Sequence, residues 1–86
     1  MRKKKEKPVV FDEKELQKEL MHSARAVGMS AGAVEVVVEK VAQKVGARVR
    51  KRAAVTVEDI NRYVSEEAEK YNKDLAYVYE NRGKII

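Results

Sequence analysis

The chain has 86 residues, with 19 Lys or Arg against 14 Asp or Glu, a net charge of +5 and no cysteine. That length allows one small domain over residues 1–86, and the lack of cysteine excludes disulfide staples, thiolate zinc sites and thiol nucleophiles. Hydrophobic residues make up 44% and charged residues 38%, a helix-rich balance rather than a disordered one, and the weight of Lys, Glu and Val leans towards a thermophile.

The first element is the basic run Arg2, Lys3, Lys4, Lys5 and Lys7, a balance of +4 after Glu6. It reads as a basic strand or tail, residues 1–7. Val9, Val10 and Phe11 follow as a short apolar strand, so residues 2–11 are expected to form a small hairpin. The charged stretch Asp12-Glu13-Lys14-Glu15 denies the basic start a signal-peptide core. No run reaches the roughly 18 apolar residues that span a bilayer. A soluble cytoplasmic protein without a membrane partner is expected.

Asp12 is the expected N-cap of a first helix over 12–27, with Glu15 completing a variant capping box. Leu16, Leu20 and Ala24 recur every four residues on one face. Gly28 suits the left-handed residue that ends such a helix. Ser30 caps a second helix over 30–46. Its Val34, Val37, Val38, Val41 and Val45 keep a period of 3.6 despite their β-branching, with Glu35, Glu39, Lys40 and Lys44 opposite. Gly46 reads as its stop.

Ala47 to Val55 reads either as more helix or as a loop ending in a short strand, Ala53-Ala54-Val55. Arg48, Arg50, Lys51 and Arg52 give this region a second +4 cluster, and the rest of the chain balances at −3. Thr56 caps a third helix over 57–71, with Glu58 and Asp59 favourable in its first turn. Ile60, Tyr63, Val64, Ala68 and Tyr71 are its expected buried face. Asn72-Lys73-Asp74 is a turn. Leu75, Val78 and Tyr79 share a face of a last helix over 74–82, and 83–86 is a C-terminal tail. The fold class is mainly α (α+β): a small four-helix bundle capped by a short two- or three-stranded β-sheet.

Enzymatic motifs are missing. Gly28, Gly32, Gly46 and Gly83 fit neither the P-loop nor the dinucleotide-binding spacing. His22, the single histidine, falls off the apolar stripe. The carboxylates interleave with lysines as ion-paired helix faces do. Catalytic and metal-ligating residues are not expected. The chemistry that stands out is anion binding: a tri-anion needs several cations, and the acidic body offers them in two places. The N-terminal lysines lie next to the amide end of helix one, a natural phosphate site.

Three stretches together carry a family resemblance. The basic first strand, the apolar strand ending Phe11-Asp12 and the helix opening Glu13-Lys14-Glu15-Leu16 resemble the start of an ATP-cone domain. Val55-Thr56-Val57-Glu58-Asp59-Ile60 is similar to the segment that opens that family's third helix. Ala76-Tyr77-Val78-Tyr79-Glu80-Asn81-Arg82 is similar to its last helix, which contains tyrosine and arginine. The resemblance covers about residues 3–82 and implies a helical bundle with a small sheet that binds ATP or dATP, with or without Mg. The family serves ribonucleotide reductases, or their transcriptional repressor, as an allosteric sensor that often controls oligomerisation. The implied partner is a regulated protein such as a ribonucleotide reductase, or a second copy of the chain.

By position, the family's basic pair falls near Lys3, Lys4 and Lys5, its junction residue on Asp12, and its base-side positions on Val57 and Asn61. Lys7 joins the basic strand. Glu15 stands where the family commonly has lysine, so Lys14 or Lys18 takes that part. Val57 has no hydroxyl, and Thr56 beside it does. Arg50 or Arg52 closes the other side if residues 53–56 add a strand. Two alternatives compete. The run Arg48-Val49-Arg50-Lys51-Arg52 with the helix after it also resembles the last loop and helix of histone-fold proteins, a nucleic-acid binder, but no long central helix stands out. The third reading is a cone-like interaction module that has lost its ligand.

Overall fold

The structure is a computed structural model that describes residues 8–82. Four helices follow one another: α1 (Glu13–Ala26), α2 (Ala31–Arg50), α3 (Val57–Ala68) and α4 (Lys73–Arg82). α1 packs on α2, α2 on α3 and α3 on α4, with a smaller contact from α1 to α4. The mainly helical expectation holds.

Each boundary has a local cause. Asp12 caps α1: its carboxylate accepts the Lys14 and Glu15 amides at 3.0 and 3.3 Å. The other end closes with Gly28 at φ +87°, where a Cβ would strain the backbone. There the Met29 amide reaches the Ala24 carbonyl and the Gly28 amide the Arg25 carbonyl, the paired pattern of a Schellman stop. Ser30 caps α2 through the Ala33 amide. Thr56 and Asp59 form a full capping box on α3, each side chain accepting the other's amide at 3.1 Å. Asn72 caps α4 through the Leu75 amide at 2.9 Å.

The buried stripe of α1 is Leu16, Leu20 and Ala24. That of α2 is Val34, Val37, Val38, Val41, Ala42 and Val45. Tyr63, Val64 and Ala68 of α3, then Leu75, Ala76 and Tyr79 of α4, complete one core, joined by the buried Val55 of the α2–α3 connector. Each large side chain so removed from water contributes roughly 1.5–3 kcal/mol before entropy is set against it. The period of 3.6 outweighs the β-branching of α2 because every valine on that stripe finds a helical neighbour to pack on.

Three expectations need correction. Gly46 does not stop α2, which continues to Arg50. Gly46 is instead a point of close approach. A Cβ there would lie 3.1 Å from Glu13 Oε1 and 3.5 Å from both Phe11 Cε2 and Arg50 Nη1. Tyr71 is not in the core: α3 ends at Ala68, Tyr71 is exposed, and residues 69–72 turn to let Asn72 start the next helix.

The sheet is the third correction, because no strand forms among the described residues. One backbone hydrogen bond, from the Val9 amide to the Val55 carbonyl at 2.9 Å, joins the N-terminal segment to the connector. A ladder cannot extend from it within the described part. Pro8 has no N–H to donate, and the chain turns into α1 within three residues. The expected first strand, with Lys3, Lys4, Lys5 and Lys7, lies outside the described residues.

Candidate functional site

The N-terminal segment, α1 and the start of α3 enclose a cleft of about 370 Å³. Its apolar surface comes from Val10 and Phe11, from Leu16 on α1 and from Val57 and Ile60 on α3. Its polar groups are Asp12, Glu15, Glu19 and Asn61. Local chemistry sets these positions. The Asp12 cap turns the chain so that Phe11 lies across α2 at Gly46 while Leu16 enters the core. The Thr56–Asp59 box fixes where α3 begins, and so where Val57, Ile60 and Asn61 stand.

Of the residues expected to touch a ligand, Asp12, Val57 and Asn61 meet in this cleft although about half of the chain separates Asp12 from the other two. Thr56 adjoins it, with its hydroxyl engaged by the Asp59 amide. Lys14 and Lys18 are exposed on α1 and are not among the lining residues. The amide end of α1 differs from expectation too, since the Asp12 carboxylate already accepts two of its amides. Among the described lining residues there are three carboxylates and no Lys or Arg.

Val10 is 94% exposed and Val57 55%, so two apolar side chains of the cleft lining stand open to solvent. Asn61 is half-buried beside them, and its amide offers both a donor and an acceptor. Sequence reasoning placed Phe11, Leu16 and Ile60 only in packing roles. The signal for their place in the cleft lining was weak: an apolar residue before a cap usually staples the helix entry.

A second cleft of about 400 Å³ lies between α3 and α4. Glu58, Glu66, Glu69 and Glu80 surround it with Arg62 the single cation in its lining, a poor setting for a triphosphate. Asn61 borders both clefts.

The basic run at the end of α2 is largely turned to structural use. Arg48 bridges to Glu66 at 2.7 Å and to Glu67 at 3.3 Å, with its guanidinium 4.3 Å from the centre of the Tyr63 ring. The hydrogen bond to Glu66 leads the effects that raise its pKa further. Lys70 reaches the other oxygen of Glu67, so this buried carboxylate is held from both sides. Arg52 donates to the Tyr63 hydroxyl. The Arg48 and Arg52 pairs join one element to another, and nothing local announces them.

Among the described residues no group of three acidic or His side chains has the geometry of a metal site, and no helix is long and apolar enough to cross a membrane. Comparison with known families, with characterised proteins and with solved structures finds no match for the chain.

Proposed function

We propose that this chain is a nucleotide-binding regulatory module of ATP-cone type, taking ATP or dATP, with or without Mg, and acting on another protein such as a ribonucleotide reductase in the cytoplasm. The observation that carries the reading is the convergence of Asp12, Val57 and Asn61 on one cleft. A resemblance in sequence had assigned those three residues to a single ligand. The base sits between the Phe11 side and Val57, where apolar burial contributes about 25 cal/mol for each Å² covered. Asn61 reads an edge of the base. The phosphates point out towards the N-terminal lysines, away from Glu15 and Glu19. The Val9–Val55 hydrogen bond brings the N-terminal segment beside the α3 end of the cleft, and the basic run directly precedes that segment in the sequence.

Micromolar affinity, about −8 kcal/mol, is enough for a sensor. Isothermal titration at high salt tests the reading. ATP or dATP is expected to give saturable heat, and tripolyphosphate little. Replacing Lys4 and Lys5 with Ala is expected to weaken ATP binding by roughly tenfold, about 1.4 kcal/mol, without lowering the melting temperature. Equal heats for ATP and tripolyphosphate would mean that a lysine-rich tail attracts any polyanion, and the cleft reading would fail.

A further inference from the structure

Residues 40–57 contain no Asp or Glu and six cations: Lys40, Lys44, Arg48, Arg50, Lys51 and Arg52. Three of the six turn towards the fold. Arg48 bridges to Glu66 and Glu67, and Arg52 donates to the Tyr63 hydroxyl. Arg50 reaches back to Gly46, which the Glu13 carboxylate also approaches. Lys40, Lys44 and Lys51 remain. All three are exposed, and among the described residues none has an ion-pair partner. At 3.6 residues per turn they fall within about 40° of one another, and at 1.5 Å per residue they span about 16 Å of α2. The acids of this helix, Glu35 and Glu39, lie about 100° or more around it from them. None of the three lysines has Asp or Glu three or four positions away, so the helix does not neutralise them. Lys40, Lys44 and Arg48 instead repeat the same charge every four residues, a spacing that destabilises a helix. An external row of anions would turn that repulsion into attraction.

We infer that this face of α2 binds the sugar–phosphate backbone of double-stranded nucleic acid. A straight row of cations suits a straight row of anions, and a duplex presents about one charge for every 1.7 Å of its axis. The rest of the face narrows the partner. Single strands are held by aromatic side chains that stack on bases. Here the neighbours are Val36, Gln43 and Ala47, with no aromatic among them. A membrane surface is entered by the apolar face opposite the cations, and in α2 that face is buried in the core. Lysine ammonium groups act as point charges, so the contact positions a duplex without reading its sequence. No residue of the cleft lining takes part, and the inference stands apart from the nucleotide reading.

The test uses the full chain with a short labelled DNA duplex and an RNA duplex of the same sequence. Anisotropy from about 50 to 200 mM salt compares wild type with Lys40→Gln/Lys44→Gln and with Lys51→Gln. The basic run at Arg2 to Lys7 also attracts polyanions, so the readout is the salt slope and not the affinity alone. For the duplex that binds more tightly, the slope of log affinity against log salt is expected to flatten by about 1.8 in the double variant and about 0.9 in Lys51→Gln. Gln is as good a helix former as Lys, and the melting temperatures are expected to stay at or above that of wild type. Three results would overturn the inference. Wild type binding neither duplex would leave the face without this partner. An unchanged slope in the double variant would assign the binding to the N-terminal run. Polyglutamate bound as tightly as the duplexes would make the partner an acidic protein.

Discussion

Asp59 shows how much one side chain can settle. It accepts the Thr56 amide, closes the capping box and pairs with Arg62 at 3.2 Å. The Thr56 backbone hydrogen bond is the largest cause holding its carboxyl below the ordinary 3.8. A depressed carboxyl stabilises the fold above its unfolded pKa, and that stability is lost as pH falls through the folded value. Asp59→Asn is therefore expected to lower stability at pH 7 by about 1 kcal/mol, the usual size of a cap. The gap to wild type should narrow below the ordinary carboxylate range. Thermal melts at neutral pH and well below pH 3.8 check this. A gap that is the same at both would mean that the charge of Asp59 is not what the box uses. The residue was legible in the sequence as a first-turn acid. Its reciprocal bond was not, because Glu and Asp three residues after a cap are read alike until the backbone places them.

At the scale of the element, α2 carries the largest share of the core. Val38 is 4% exposed, and Val38→Asp would bury an unpaired charge at a cost of several kcal/mol, on the order of 4 or more. A domain of this size holds only about 5–15 kcal/mol in all. The variant is expected to be largely unfolded by circular dichroism at 25 °C. Melting within a few degrees of wild type would show that this face of α2 is not the core. The helix itself was legible because period and caps agreed along it. Its end was not. A glycine late in a helical pattern reads as a stop, but Gly46 lies within α2, where Phe11 and Glu13, far away in the chain, cross over it. Tyr71 failed for a related reason: it keeps the apolar period of α3, but Asn72 ends that helix by capping the next one. In both places a contact or cap from outside the helix overrode its own pattern.

For the whole molecule, the relation between the cleft and the charges decides the account. Asp12, Val57 and Asn61 were expected at one site through a resemblance of ordered motifs, and all three line the same cleft. The apolar surface they share was hidden in the sequence, because Phe11, Leu16 and Ile60 obey the same pattern whether they face a core or a ligand. The carboxylates of the cleft lining, Asp12, Glu15 and Glu19, come from the cap and body of α1. The most direct measurement is an amide NMR titration of the intact chain with ATP, and in parallel with tripolyphosphate, at high salt. The account predicts that the Phe11, Asp12, Val57, Ile60 and Asn61 amides move together and saturate with ATP, and stay in place with tripolyphosphate. Shifts confined to the N-terminal lysines and equal for both ligands, or no shift at the cleft with ATP, would contradict it.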